Sequence, residues 1–197
     1  MVNDMVKQRL IVGVSGSSAP RLAWATLAAL RVHPDVETHL VLSKGATKTI
    51  QLEMNKTRGD FEGLADVVYE PDDLGAALSS GSYLTIGMVV VPCSMKLLAE
   101  IATGTSANLL SRAAEVCLKE GRRLVLVPRE SPLNLINIRN MEAVTLAGAV
   151  VLPPMPAFYH RPQTIADILA HNVGEVLDQF GIEHDLLQRW KQPVGVS

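Results

Sequence analysis

Several features that would classify a chain at once are scarce here. Among 197 residues there are two cysteines, Cys93 and Cys117. That is too few for a disulfide framework, and their spacing is neither Cys-x-x-Cys nor that of a Cys/His zinc site. The histidines at 33, 39, 160, 171 and 184 form no metal-ligand spacing such as His-x-x-x-His. Basic excess is missing too: the net charge is −2, with Lys and Arg scattered among Asp and Glu. This excludes a nucleic-acid footprint and makes any phosphate recognition local. Apolar runs reach only strand length, as at Met88–Val91, and residues 1–9 are too polar for a secretory signal. The expectation is a soluble, cytoplasmic protein without membrane contact. Aromatic residues make up only 4%, low for an isolated globule whose core needs bulky fillers, and the Ala-rich helices hint at contacts between copies.

What is present is a regular alternation. Apolar β-branched runs occur at 9–15, 37–43, 66–70, 87–93, 123–128 and 149–152. Their apolarity is continuous, which marks strands buried on both faces of a mostly parallel sheet. Between them, 20–32, 44–54, 95–103, 107–120, 134–147 and 164–180 carry apolar residues at helical spacing. The alternation predicts a single doubly wound α/β domain over 1–197, with flexible tails at 1–8 and 191–197. Residues 153–162 contain four prolines, which cannot sit in a helix or a central strand, so an ordered Pro-rich loop or arm is expected there.

In such a sheet, ligands bind beyond the carboxyl ends of the strands, and polar residues cluster there. The first strand runs into Ser15-Gly16-Ser17-Ser18-Ala19-Pro20. Small residues of this kind let backbone amides approach a phosphate at a helix N-terminus. The Gly-x-Gly-x-x-Gly fingerprint and a Walker lysine are both missing, and an ordinary capped turn explains the segment equally well. Ser43 is read in the same two ways. Glu53, near the end of its helix, is either a surface acid or a carboxylate kept there for proton transfer. In Cys93-Ser94-Met95-Lys96, Cys93 suits a small buried thiol better than a nucleophile, because no partner histidine is identifiable, whereas Ser94 faces the crevice. Arg112 and Lys119, seven residues apart, share a helix face and are expected near Arg129 and Glu130, as a phosphate clamp with a proton donor or as a solvated face.

Three segments carry a wider resemblance: Pro92-Cys93-Ser94-Met95-Lys96, Leu124 to Glu130, and Leu152-Pro153-Pro154-Met155-Pro156-Ala157-Phe158-Tyr159. From Leu10 to Trp190 the chain resembles the UbiX-type flavin prenyltransferases, including relatives named as subunits of phenolic acid or hydroxybenzoate decarboxylases. The resemblance implies a flavodoxin-like or Rossmann-like fold, a homododecamer and a metal-independent reaction. In that reaction a dimethylallyl group passes from dimethylallyl phosphate to N5 and C6 of reduced FMN, and the prenylated FMN serves a UbiD-type decarboxylase. Gly16, Ser17, Ser18, Ser43, Ser94, Met95, Lys96, Leu97 and Arg129 would bind FMN. Lys119, Arg129, Glu130 and Tyr159 would surround the dimethylallyl phosphate, joined by Arg112 from its shared helix face with Lys119 and by the substrate-binding position that Glu175 occupies, with Glu53, Glu130 and Ser18 as catalytic groups.

The chain departs from the family pattern at two points. Its first turn, Gly16-Ser17-Ser18-Ala19-Pro20, is one glycine short, and Glu175 stands where a phosphate-contacting cation is usual. Arg161 or a neighbouring subunit could supply the missing charge. An FMN-binding accessory subunit without transferase activity is the second reading, and a cysteine-dependent decarboxylase of peptidyl substrates the third.

Overall fold

The computed structural model describes residues 7–190. Six strands, β1 (Gln8–Val14), β2 (Val36–Leu42), β3 (Val67–Tyr69), β4 (Gly87–Cys93), β5 (Arg123–Pro128) and β6 (Val150–Val151), form one parallel sheet in the order β3-β2-β1-β4-β5-β6. Seven α-helices connect and flank them: α1 (Pro20–Leu30), α2 (Lys44–Met54), α3 (Arg58–Glu62), α4 (Met95–Ala102), α5 (Leu109–Lys119), α6 (Leu135–Leu146) and α7 (Ile165–Asp178). This is the doubly wound, flavodoxin-like single domain with a Rossmann strand order. The order reverses between β1 and β4, where such sheets open a crevice.

Strand alternation divides the core into two layers. Leu10, Val12, Val14, Leu40, Leu42, Val89, Val91, Val125 and Val127 pack against α1, α2, α3 and α7. Ile11, Val41, Met88, Val90, Cys93, Leu124 and Leu126 face α4, α5 and α6 on the other side. Because both sheet faces are covered, the central strands read as unbroken apolar runs.

The sequence pattern misses two short elements, α3 and a 3-10 turn at Ala77–Ser79. The α3 segment has one turn and only Phe61 buried, so it shows no helical periodicity; its signal is the Thr57/Asp60 capping box, which closes it reciprocally. One boundary needs correction. Gln8 lies inside β1, paired with Val36, so the expected tail at 1–8 is too long. Its first six residues, and 191–197, lie outside the described residues. Residues 153–162 hold no helix or strand. Among the described residues, no helix is long and apolar enough to cross a membrane.

Candidate active site

A cavity of about 440 Å³ opens at the carboxyl edge of the sheet, against the switch point. That volume falls within the range of small-molecule sites. The end of β1 contributes Ser15 and Gly16, the end of β2 Ser43, Lys44 and Gly45, the segment after β3 Pro71 and Asp72, and the end of β4 Ser94, Lys96 and Leu97. The far wall is formed by Glu100 on α4 and by Ala107, Asn108 and Leu110 at the start of α5.

Three helix N-termini thus meet at one cavity, and each is capped by a residue that lines it. The Ser43 hydroxyl accepts from the Ala46 N–H at 3.0 Å, Ser94 from the Leu97 N–H at 3.3 Å, and Asn108 from the Leu110 and Ser111 N–H groups at 2.9 and 3.2 Å. The capping and ligand readings of Ser43 are therefore compatible. A serine that accepts from the backbone still has its own O–H to donate. The aligned peptide dipoles add partial positive charge at the same place, which favours an anion. Lys44 and Lys96 supply full charges at the mouth, paired with Asp72 at 2.6 Å and Glu100 at 3.6 Å.

The β1–α1 turn is fixed from two sides. The buried Ser15 hydroxyl donates to the Pro92 carbonyl at 2.9 Å and accepts from the Ser94 N–H at 2.7 Å, joining the ends of β1 and β4. Ser17 donates to the Arg129 carbonyl at 2.8 Å, joining the turn to the end of β5. Gly16 touches the start of α2 so closely that a Cβ there would stand 2.9 Å from the Gly45 backbone. Only bare backbone fits at that approach.

Of the expected flavin ligands, Gly16, Ser43, Ser94, Lys96 and Leu97 line the cavity. Ser17 spends its hydroxyl on Arg129. Met95 stands between the lining residues Ser94 and Lys96 without belonging to them, and Ser18, two residues past Gly16, does not line the cavity and has a hydroxyl with no partner among the described residues. Arg129 and Glu130 are exposed, just past β5. Glu53 is brought to the same turn: its carboxylate accepts from the Ala19 N–H at 3.1 Å. Ala19 caps α1 with no side-chain acceptor of its own, so Glu53 supplies from α2 the negative charge that this N-terminus favours.

The expected phosphate clamp does not assemble within one chain. Lys119 ends α5, just before β5 begins, whereas Arg129 follows the end of β5; a six-residue strand separates them by roughly 17–20 Å. Lys119 pairs with Glu120 and neighbours Gly81, ahead of β4. Arg112 is committed to the Ser79 carbonyl at 3.2 Å and to Glu115 at 3.1 Å. The Ser106 hydroxyl and Arg112 hold the Glu115 carboxyl below its usual range. Glu175 lies on α7, on the opposite face of the sheet from α5. Tyr159 donates its hydroxyl to the Gln188 carbonyl at 3.0 Å. Seven-residue spacing correctly predicts a shared helix face, but it does not say which end of the sheet that face adjoins.

Sequence reading missed Ser15, Lys44, Gly45, Asp72, Glu100 and Asn108 as lining residues. Ser15, Lys44, Gly45 and Asn108 stand directly after a strand or at the start of a helix, the signal that identified Ser43 and Ser94; Asp72 lies in the turn three residues past β3, and Glu100 lies within α4. Asn108, with Ser111 three residues on, closes a capping box.

Burial pushes the Cys93 and Cys117 thiols up to about 12. Neither is a thiolate nucleophile at neutral pH. Iodoacetamide is expected to leave both unmodified in the native protein near pH 7.5 and to label both after denaturation, as read by intact mass. Rapid native labelling of Cys93 would reopen the cysteine-dependent reading.

A family model described as Flavoprotein matches residues 2–176. The chain is 52% identical over 183 residues, 93% of each chain, to a probable UbiX-like flavin prenyltransferase of Escherichia coli O157:H7. It belongs to the UbiX-like flavin prenyltransferase family. Among solved structures, the dodecameric FMN-dependent UbiX-like decarboxylase of Escherichia coli O157:H7 superposes with a TM-score of 0.92 at 52% identity, covering 94% of this chain and 100% of that one. AnUbiX in complex with FMN and dimethylallyl pyrophosphate also gives a TM-score of 0.92, at 46% identity, covering 94% and 98%. In this UbiX-like chain the cavity described above lies at the β1/β4 switch point.

Proposed function

We propose that this protein transfers a dimethylallyl group from dimethylallyl phosphate to N5 and C6 of reduced FMN, producing prenylated FMN for a UbiD-type decarboxylase. The observation that carries this reading is the 440 Å³ cavity ringed by three helix N-termini, in a chain half identical to flavin prenyltransferases. The residues present fit FMN: serine O–H groups and helix-start amides suit its phosphate, and the bare backbone at Gly16 and Gly45 permits close approach. When bound, reduced FMN supplies the nucleophilic ring positions.

Ser43, Ser94 and the amides that follow them hold the phosphate end. Arg129 and Glu130, at the end of β5, lie across the turn that carries Ser18. Charge builds on the leaving phosphate oxygens as the allylic bond breaks, and the Arg129 guanidinium opposes it. The Glu130 carboxyl delivers a proton to that leaving group, then serves as a base once deprotonated. Glu53, oriented by the Ala19 N–H, holds a carboxylate beside Ser18 for the second proton movement. Arg112, Lys119 and Tyr159 reach this point only from other copies of the chain, in an assembly such as the dodecamer of the Escherichia coli O157:H7 neighbour. The reading includes a cytoplasmic setting, in keeping with two unpaired thiols.

Glu175, in place of a cation, favours a second reading in which the protein holds FMN without prenylating it. Anaerobic incubation with reduced FMN and dimethylallyl phosphate separates the two. The transferase yields a flavin heavier by one C5H8 unit, whereas the accessory subunit returns FMN unchanged.

A further inference from the structure

One side chain in the cavity wall has the wrong sign for the anion that the helix starts invite. Glu100, on α4, lines the same cavity as Ser43 and Ser94, and its side chain is only 13% exposed. One carboxylate oxygen accepts from Nδ2 of Asn108 at 3.2 Å, and the other faces the Lys96 ammonium at 3.6 Å. Lys96 is 85% exposed, so water screens its charge far more than that of the carboxylate in the wall. Asp72, the other acid of the lining, is 68% exposed and paired with Lys44 at 2.6 Å. Glu100 is therefore the least screened charge in the cavity.

Its position decides which helix start it serves. Asn108 is the N-cap of α5, so through Nδ2 of Asn108 the chain places an anion of its own at the positive end of that helix. Glu53 does the same for α1, through the Ala19 N–H. The starts of α2 and α4 differ: Ser43 and Ser94 cap them, and among the described residues no carboxylate accepts from their amides. Two of the four helix starts at this edge are thus left open to a ligand phosphate. Six residues of helix separate Glu100 from Ser94, about 9 Å along α4. A cavity of 440 Å³ is itself about 9 Å across, no more than a Debye length, so the wall charge acts on a phosphate anywhere inside.

We propose that Glu100 sets how tightly the site holds a nucleotide: a resident anion at the start of α5, it confines the ligand phosphate to the gap between Ser43 and Ser94 and weakens its retention so that the nucleotide leaves. This rests on the flavin reading above. A flavin product made here and used by a second enzyme has to be released, and two helix starts with two lysines would otherwise hold its phosphate longer. Glu100→Gln is nearly isosteric, keeps an acceptor for Asn108 and frees Lys96 from its partner. Removing one charge about 9 Å from a phosphate, at an effective dielectric of ~40–80, corresponds to roughly 3- to 30-fold tighter binding. Most of that change belongs in the dissociation rate.

The test compares FMN with riboflavin, which lacks the phosphate, on the full chain at neutral pH, by flavin fluorescence at equilibrium and by stopped-flow release. Glu100→Gln is expected to bind FMN about 3- to 30-fold more tightly and to release it more slowly by a similar factor, with riboflavin affinity changed less than about twofold. Glu100→Asp, which keeps the charge, should stay near wild type. A merely structural lesion weakens binding, so a gain confined to the phosphorylated flavin is diagnostic. Equal or weaker FMN binding by Glu100→Gln, or an equal gain for riboflavin, overturns the assignment. Should Glu100→Gln fail to fold, Glu100→Ala decides by the same sign. A wild-type chain that binds no FMN defeats the flavin reading instead; inorganic phosphate, followed by calorimetry, then replaces FMN, and an affinity unchanged by Glu100→Gln overturns the role of Glu100.

Discussion

Ser15→Ala is expected to destabilise the flavin-free protein by about 2–3 kcal/mol and to open the cavity at its base. The hydroxyl is buried and works in both directions, donating to the Pro92 carbonyl and accepting from the Ser94 N–H at 2.7 Å. Alanine leaves that N–H without its acceptor at the base of the cavity. Leaving a buried donor unmade costs more than an average hydrogen bond contributes. The Ser15 N–H retains the Pro92 carbonyl at 3.3 Å, so the strand ends stay in contact and the fold survives. For a chain of this size the loss corresponds to roughly 5–10 °C in the thermal midpoint. Flavin affinity should fall with it, because Ser94 begins α4 and lines the cavity. An unchanged midpoint in the alanine variant would show that the two strand ends are held by something else.

Arg129→Ala is expected to reduce prenyl transfer by about 100- to 1,000-fold, the cost of one preorganised charge-stabilising donor. The backbone at this residue is pinned on both sides: its N–H donates to the Cys93 carbonyl at 3.3 Å, and its carbonyl accepts from Ser17 at 2.8 Å. Its guanidinium, by contrast, makes no hydrogen bond or ion pair among the described residues. In the proposed function this cation, with a fixed root and an uncommitted head beside Glu130, meets the incoming phosphate. Arg129→Lys should recover part of the rate, because the ammonium restores charge without the planar fork. Single-turnover measurements at saturating flavin isolate the chemical step. Full activity in the alanine variant would remove Arg129 from the machinery.

The strands were legible because each is buried on both faces and reads as an unbroken apolar run, Val89-Val90-Val91 being the clearest. The helices were legible from periodicity, and the ligand edge from serines standing directly after strands. Illegible were the relations that join distant segments. Nothing at Glu53 announces that it caps a helix thirty-odd positions earlier, and nothing at Arg112 or Lys119 says that α5 carries Lys119 to the far end of the sheet. Ser15 was passed over for the opposite reason. Its place beyond β1 looked like that of its neighbours, and only the approach of β4 turns its hydroxyl into a bridge. The Glu175 departure likewise gains a partner, His171, that lies four residues back on the same helix face.

In the proposed function the carboxyl-edge cavity holds a flavin nucleotide. The direct measurement is an anaerobic titration of the purified, flavin-free protein with FMN in its oxidised and reduced forms, followed by flavin fluorescence and absorbance. Saturable one-to-one binding per chain is expected, weakened by about 10- to 100-fold in Gly16→Val, whose side chain collides with the Gly45 backbone. No binding in either redox state, or equal binding by the Gly16→Val protein, would show that the cavity is not a flavin site.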